Sequence, residues 1–159
     1  MFRIGLGFDS HSFDKEEKKP LKLGGVIIDN EIGLKGHSDA DVLLHAITDA
    51  ILGAIGAPDI GQLFPSSDPK WKNADSRVFL WEALKLMREA GFRIGNLDCV
   101  IICDKPKISP YKNQIIENLS KLLKVEPSQI NVKGKTTEGF CTLEGISVFC
   151  NVLLIKDLT

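Results

Sequence analysis

Hydrophobic positions along the chain recur with the period of β-strands in some segments and with the period of α-helices in others. Short runs rich in apolar, β-branched or glycine residues, which are typical of strands, cover residues 2–8, 21–28, 97–103, 130–133 and 146–155. The last run is almost continuously apolar, as expected for a strand at the middle of a sheet. The first two runs are predicted to form a hairpin or to lie beside each other.

Three other segments repeat apolar residues every three to four positions, which is the spacing of one helix face. The first helix is predicted to be capped by Ser38, to carry its apolar stripe between residues 42 and 55, and to end at Gly56. The second and third helices are predicted over residues 75–91 and about 110–123.

Residues 59–72 follow neither period and contain glycine, proline and paired serines, so they are predicted to form a functional surface loop, a candidate lid. Because strands and helices alternate only in part, the predicted fold class is α/β or α+β, with a single mixed β-sheet and helices packed on one face. No internal repeat or linker divides the chain, and we expect one domain over residues 1–159.

The overall charge is close to neutral, with 20 basic and 21 acidic residues giving a formal net charge of -1. This balance argues against nucleic acid or a membrane surface as a partner, so any anion site must be local. The sequence opens without a signal-peptide or transit-peptide pattern, and its apolar runs are too short to cross a bilayer. We therefore expect a cytoplasmic protein.

Four cysteines are present, and two of them lie in β-branched runs, where a thiol behaves as a small hydrophobic side chain. We predict that Cys99, Cys103, Cys141 and Cys150 are reduced core residues. A zinc site at Cys99 and Cys103 is disfavoured because the residues between them form a stiff, extended stretch and not a turn.

An aspartate and two histidines supply the ligand types of a metal site. Asp9 and His11 follow the first predicted strand, and residues two apart in an extended chain point the same way. His45 lies on a polar flank of the first helix, one turn after Asp41, and needs a polar partner. Three such ligands would leave the fourth position of a tetrahedral zinc open, as in catalytic sites. Spacing alone favours the alternative of a hydrogen-bonded helix histidine and an unrelated loop histidine, because scattered ligands form no local signature.

Three further segments carry groups suited to a phosphorylated substrate. Residues 36–39 (Gly-His-Ser-Asp) precede the first helix, where unpaired N–H groups could bind phosphate, unless Ser38 or Asp39 simply caps the helix. Asp59 and Asp68 offer carboxylates to hydroxyl groups, or merely form turns. Residues 135–138 (Lys-Thr-Thr-Glu) combine a cation, two hydroxyls and a carboxylate, which suits a diphosphate with its divalent metal.

Taken together and in this order, the segments resemble the 2-C-methyl-D-erythritol 2,4-cyclodiphosphate synthase family over essentially the whole chain. The matching motifs are Arg3-Ile4-Gly5, Gly7-Phe8-Asp9-x-His11, Gly36-His37-Ser38-Asp39-x-Asp41-Val42-x-x-His45, Asp59-Ile60-Gly61-x-Leu63-Phe64-Pro65, Asp68, Ala74-Asp75-Ser76, Pro106-Lys107 and Thr136-Thr137-Glu138. The block from Gly36 to Ser76 is the most specific part.

The resemblance implies a set of site residues. Zinc ligands are expected at Asp9, His11 and His45, and Glu138 is expected to bind a second ion, Mg²⁺ or Mn²⁺. Contacts to the methylerythritol phosphate are expected from Asp9, His11, His37, Ser38, Asp59, Ile60, Gly61, Phe64 and Asp68. Contacts to the cytidyl diphosphate are expected from Cys103, Pro106, Lys107, Ile108, Ser109, Lys135, Thr136, Thr137, Glu138 and Phe140. His37 and Thr136 match positions regarded as catalytic stabilisers of the transition state.

The resemblance also implies an activity and an assembly. The expected reaction closes 4-diphosphocytidyl-2-C-methyl-D-erythritol 2-phosphate into the 2,4-cyclodiphosphate and releases CMP, in the non-mevalonate isoprenoid pathway, at sites shared between the subunits of a homotrimer. Two alternatives are a zinc hydrolase of a phosphate ester and a non-catalytic trimeric module that binds a nucleotide or isoprenoid diphosphate. The chain departs from the family pattern at Leu6, at Lys135 and in residues 139–143, a shortened loop that lacks the usual arginine, so prenyl diphosphate binding is not carried over.

Overall fold

Buried and exposed residues alternate along the four strands of the main sheet, so one face of that sheet is packed against the core and the other is open. The structure is a computed structural model that describes residues 1–158. Its strands are β1 (Phe2–Ser12), β2 (Leu21–Leu23), β3 (Val26–Asp29), β4 (Phe92–Ile102), β5 (Ile130–Lys135) and β6 (Gly145–Lys156). Its α-helices are α1 (Val42–Ala54), α2 (Ile60–Leu63), α3 (Arg77–Glu89) and α4 (Lys112–Leu123). Single 3₁₀ turns cover Pro69–Trp71, Ser109–Tyr111 and Pro127–Gln129.

The four-stranded sheet has the order β1-β6-β4-β5. Strand β6 is antiparallel to both of its neighbours, whereas β5 runs parallel to β4, so the sheet is mixed as predicted. The near-continuous apolar run at the end of the chain does lie inside the sheet. A near-continuous apolar run is typical of a strand that is covered on both faces, yet Phe149 on one face of β6 is 42% exposed in the single chain.

Two predictions about the strands are wrong. The segment 21–28 is a hairpin of two short strands, β2 and β3, and it forms a separate two-stranded sheet instead of pairing with β1. Its turn is Gly24-Gly25, with φ values of +63° and +79° that glycine adopts without strain. The first strand is also longer than expected and includes Asp9 and His11, because β1 stays paired with β6 as far as Ser12.

The helix predictions hold with shifted ends. Helix α1 is capped by Asp41 and not by Ser38, since the Asp41 side chain accepts a hydrogen bond from the Leu44 N–H. Helices α3 and α4 lie within the predicted ranges 75–91 and 110–123. Residues 59–72, predicted as an irregular loop, contain helix α2, which Asp59 caps, and the 3₁₀ turn that follows Asp68.

Helix α1 covers one face of the sheet, and the opposite face presents large apolar side chains to solvent. Ile4, Leu6 and Phe8 of β1 are 76%, 63% and 48% exposed, and Phe149 of β6 is 42% exposed beside Phe8. The prediction of helices on one face is therefore correct. No helix within residues 1–158 has both the length and the apolar character that a membrane crossing requires.

The cysteine prediction is correct for three of the four residues. Cys99, Cys103 and Cys150 are buried and form no disulfide, and Cys99 lies directly opposite Cys150 in the β4–β6 pair. Burial raises the pKa of the Cys103 thiol to about 11, which keeps it protonated. Cys141 is exposed, because it lies in the loop between β5 and β6 and not in the core.

Strand β1 packs so closely on α1 that two of its residues must be glycine. A Cβ atom on Gly5 would lie 1.8 Å from the Ala50 carbonyl oxygen, and one on Gly7 would lie 1.8 Å from that of Ala46. The atoms that such a Cβ would meet first belong to the backbone of α1, which cannot move aside as a flexible side chain could. Gly53 of α1 differs, since its nearest such contact is the Leu6 carbonyl oxygen at 3.7 Å.

We therefore expect Gly7→Ala to lower the free energy of unfolding by about 3 kcal/mol, at the upper end of the usual range for overpacking. The matched control Gly53→Ala should raise it by up to about 1 kcal/mol, because alanine favours a helix and finds room. Urea denaturation at one fixed protein concentration measures both. Equal stability of the two variants would contradict the close β1–α1 contact.

Candidate functional site

Strand β1 and helix α1 bring one aspartate and two histidines together. Asp9 and His11 continue the face of β1 that Gly5 and Gly7 turn towards α1, and His45 lies on α1. Asp9 Oδ2 lies 2.9 Å from His11 Nε2 and 3.0 Å from His45 Nδ1, and the two nitrogens are 3.4 Å apart. Within residues 1–158 these three form the one group of three or more His, Cys, Asp or Glu side chains able to hold a metal. We call this group the metal triad.

The other ring nitrogen of His45 is also occupied. His45 Nε2 lies 2.8 Å from Ser76 Oγ and 3.2 Å from Ser38 Oγ, and the side chain is buried. The predicted need for a polar partner is confirmed. A metal-binding histidine usually bonds its second nitrogen in this way, which fixes the ring orientation. The Nδ1 atom is thus the ring nitrogen that faces Asp9 and His11.

The charges of the triad stabilise one another in the metal-free protein. Burial by itself would raise the pKa of Asp9, but hydrogen bonds and attraction from His11 and His45 outweigh it and lower that pKa to about 2. Burial likewise opposes protonation of His11, yet the hydrogen bond and charge of Asp9 raise the His11 pKa above its usual value. A divalent cation would replace these protons as the partner of the carboxylate.

A buried carboxylate fixes the start of the helix that carries His45. Asp41 is fully buried and accepts hydrogen bonds from the N–H groups of Gly24, Gly25 and Leu44 at 2.9, 2.7 and 3.0 Å. Burial raises its pKa, while these three donors act in the opposite direction. The predicted phosphate site at this helix N-terminus is therefore not favoured, because Asp41 already places an acceptor there.

A pocket of about 260 Å³ opens beside the metal triad. The predicted residues His37, Ser38, Ile60, Gly61 and Phe64 line it together with the triad, and Ser66, Trp71 and Phe79 were not predicted. Phe64, Trp71 and Phe79 form an aromatic wall, with ring centroids 4.6–5.8 Å apart. The sequence did not identify Phe79 and Trp71 as pocket residues. Phe79 matches the apolar pattern of the core face of α3, and Trp71 lies in the segment that was predicted to be a loop.

The predicted aspartates play partly structural roles around this pocket. Asp59 caps α2 by accepting from the Gln62 N–H at 2.9 Å, and Asp68 accepts from the Lys70 N–H at 2.9 Å. The Asp68 carbonyl oxygen lies 3.1 Å from His37 Nε2, which must be the donor because a carbonyl only accepts. His37 is thus held with its Nδ1 free to accept a hydrogen bond.

The remaining predicted residues lie elsewhere on the chain. Residues 103–109, which follow β4, and residues 135–140, which begin at the last residue of β5, line no part of the triad pocket, and we call them the β5-edge segments. Asp104, which was not predicted, holds them together by accepting from the Thr137 N–H and hydroxyl at 3.0 Å and from the Leu143 N–H at 3.2 Å. The Thr137 backbone bond is the main cause that lowers the pKa of Asp104.

The two groups occupy the same end of the sheet but opposite edges. His11 on β1 pairs with Ile146 on β6, and the adjacent Ser147 pairs with Ile102 on β4, which pairs with Lys135 on β5. Three strand spacings therefore separate His11 from Lys135, or about 14 Å. Glu138 is not a member of the metal triad, and the Phe140 side chain is 94% exposed.

The Asp9 pKa generates a prediction for the metal-free protein. The folded pKa of about 2 lies below the usual aspartate pKa of 3.8, so Asp9 contributes stability above pH 4 and loses it as the pH falls to 2. The loss should be about 2 kcal/mol, from 1.4 kcal/mol per pKa unit. Urea denaturation in a chelator should show wild type losing this much more than Asp9→Asn between pH 4 and pH 2. Parallel curves for the two proteins would contradict the assignment.

Comparisons with known proteins agree with this geometry. A family model described as the YgbB family matches residues 2–155. The chain is 59% identical over 154 residues to 2-C-methyl-D-erythritol 2,4-cyclodiphosphate synthase of Aquifex aeolicus, covering 97% of each chain. It is 54% identical to the chloroplastic synthase of Arabidopsis thaliana, covering 98% of this chain and 68% of that protein.

A solved structure of IspF from Plasmodium falciparum in complex with CDP superposes with a TM-score of 0.85 at 42% identity, covering 98% of this chain and 97% of that one. The metal triad, the pocket beside it and these matches along nearly the whole sequence lead to one conclusion. The chain belongs to the YgbB family, that of the 2-C-methyl-D-erythritol 2,4-cyclodiphosphate synthases.

Proposed function

We propose that this protein converts 4-diphosphocytidyl-2-C-methyl-D-erythritol 2-phosphate into 2-C-methyl-D-erythritol 2,4-cyclodiphosphate and CMP, in the non-mevalonate pathway. The observation that carries the proposal is the metal triad in the lining of a pocket that His37, Ser38 and Phe64 also line. Relatives named for this activity, one of them 59% identical, support it. The cytoplasmic location expected from the sequence stays a prediction.

The donor set of the triad supports zinc as its metal. Two imidazole nitrogens and one carboxylate oxygen, all within 4.8 Å of one another, suit a tetrahedral zinc with an open fourth position. When bound, zinc would polarise a phosphate oxygen at that position and offset its negative charge. Asp9, His11 and His45 would hold the ion, and Ser76 and Ser38 would keep the His45 ring in place.

The chemistry needs orientation more than proton transfer. An oxygen of the substrate 2-phosphate attacks the β-phosphorus of the diphosphate and closes the ring, and the bond from that phosphorus to the α–β bridging oxygen breaks. The bridging oxygen leaves with CMP. The nucleophile is already ionised, so the barrier lies in bringing two anions together in line. His37, held by the Asp68 carbonyl, is placed to orient a phosphate or hydroxyl group in the pocket.

The β5-edge segments are proposed to bind the cytidyl diphosphate. The likeness to a relative solved with CDP supports a nucleotide site in the family. Lys135 and Thr136 would contact phosphate oxygens, and Glu138 would bind a second ion, Mg²⁺ or Mn²⁺, on the diphosphate. Cys103, Pro106, Lys107, Ile108, Ser109, Thr137 and Phe140 would complete this site.

A homotrimer would unite the two groups. Within one chain about 14 Å of sheet separates the triad edge from the β5 edge, which is too far for one diphosphate group to contact both, so a second copy would be needed. The open sheet face, with Ile4 and Leu6 more than half exposed, needs a cover that a neighbouring subunit can supply. Packing three such faces around an axis would bring the β1 edge of one subunit to the β5 edge of the next.

Product analysis tests the proposed reaction. Zinc-loaded protein incubated with the cytidyl diphosphate substrate and Mg²⁺ should yield the cyclic diphosphate and CMP in equal amounts by mass spectrometry. Release of inorganic phosphate would instead indicate a hydrolase, and an unchanged substrate would indicate a binding module. His45→Ala and Asp9→Ala should lose both zinc and turnover, and unchanged zinc content in both variants would refute the metal assignment.

Mixing of inactive variants tests the shared site. His45→Ala damages the triad edge, and Glu138→Ala damages the β5 edge of the same chain. If sites form between subunits, denaturing and refolding the two inactive proteins together should restore some turnover, because some interfaces then combine two intact edges. Light scattering should give three times the 17.5 kDa chain mass. An active monomer, or no recovery in properly mixed trimers, would contradict the arrangement.

A further inference from the structure

A chain of hydrogen bonds runs from the metal triad to a carboxylate that does not line the pocket. His45 Nε2 lies 2.8 Å from Ser76 Oγ, and the Ser76 hydroxyl in turn donates to Asp39 Oδ1 through a short contact. Neither Ser76 nor Asp39 lines the triad pocket. Ser76 is fully buried and precedes α3, but its side chain does not cap that helix. Helix capping therefore does not explain why a hydroxyl group is buried at this position.

The proton positions along this chain follow from the donor properties of its members. A carboxylate accepts hydrogen bonds and has no proton to donate, so the hydroxyl proton of Ser76 must point to Asp39. The Ser76 oxygen then offers His45 only lone pairs. His45 Nε2 must consequently carry a proton. The proton that a metal would displace is then the one that Nδ1 donates to Asp9 in the metal-free protein, which leaves the Nδ1 lone pair for the metal.

Asp39 is itself fixed in place. Its Oδ2 accepts from the Ser76 N–H at 3.2 Å and its Oδ1 from the Asp41 N–H at 3.2 Å, while Lys22 Nζ lies 3.7 Å from Oδ2. Its own N–H donates to the Ala74 carbonyl at 2.9 Å. The carboxylate thus cannot turn away from Ser76 without losing several bonds.

Ser38 is less suited to the same task. Its Oγ is farther from His45 Nε2, at 3.2 Å, and already accepts from the Ala40 N–H. Ser38 also lines the pocket, where a substrate could compete for its hydroxyl. Ser76 has no such exposure, so its bond to His45 persists whatever occupies the pocket.

We propose that Asp39 and Ser76 are positioning residues for the metal site, which act through His45 by holding it in the Nε2-protonated form. The inference rests on the metal site of the proposed function and adds two residues that lie outside both the metal triad and the pocket beside it. A metal ligand delivered in the wrong tautomer must first move a proton, so loss of the chain should weaken metal binding.

Zinc affinity tests the inference without any need for turnover. Competition with a chromophoric chelator should show zinc binding about 10–100-fold weaker in Ser76→Ala and in Asp39→Asn than in wild type. In Asp39→Asn the amide can donate to Ser76 Oγ, which frees the hydroxyl proton to point at His45 and favours the wrong tautomer. Ser10→Ala is the matched control, because Ser10 lies between Asp9 and His11 in β1 but on the opposite face of the strand. The zinc affinity of this variant should equal that of wild type.

A double variant shows whether the two residues act through one chain. If Asp39 works only through Ser76, the Asp39→Asn/Ser76→Ala protein should bind zinc no more weakly than Ser76→Ala alone. Additive losses would contradict the relay. Circular dichroism and urea denaturation of each variant identify any loss that comes from misfolding.

Nitrogen-15 NMR gives a readout that a purely structural role would not change. Zinc-loaded wild type should show a proton on His45 Nε2 that exchanges slowly with water, and the exchange should become faster in Ser76→Ala. Wild-type zinc affinity and slow exchange that persist in both variants would overturn the inference. Failure of wild type itself to bind zinc would instead refute the metal assignment of the proposed function.

Discussion

The close contact between β1 and α1 is the constraint on which the site depends. Gly5 and Gly7 let the strand approach until its backbone lies against the Ala46 and Ala50 carbonyls. The same face of β1 continues to Asp9 and His11, and the same stretch of α1 contains His45. A wider strand-to-helix distance would separate the ligand atoms, which now lie within 4.8 Å of one another. The close packing of β1 on α1 therefore also sets the distances between the ligand atoms of the metal triad.

Two hydrogen-bonded aspartates, the fully buried Asp41 and the partly buried Asp39, then hold this arrangement in place. Asp41 connects the Gly24-Gly25 turn to the start of α1, and Asp39 reaches His45 through Ser76. An unpaired buried carboxylate is strongly destabilising, but each of these has several donors. Polar groups satisfied in this way restrict the orientations that the surrounding elements can adopt. The first turn of α1 and the ring of His45 are consequently fixed before any ligand arrives.

The sheet also explains why a single chain looks incomplete. Its order places the metal triad on one edge and the Lys135–Glu138 segment on the other, at the same end. Its uncovered face carries Ile4, Leu6, Phe8 and Phe149. The proposed substrate would use both edges, and an apolar face needs a cover. One symmetric association of three chains would meet both needs, which is why the proposed assembly and the proposed reaction depend on each other.

The sequence by itself determined the elements that local periodicity encodes, and the residue types of the metal site. Helices α1, α3 and α4, the inner position of β6 and the shared direction of Asp9 and His11 follow from spacing, because side-chain direction within one element is a local property. The tertiary structure alone decided which distant residues meet. It paired β1 with β6, made Asp41 the helix cap in place of Ser38, and brought Asp39 and Ser76 to His45, because such contacts depend on how elements pack. Trp71 and Asp104 were missed for the same reason, since their neighbours come from other segments of the chain.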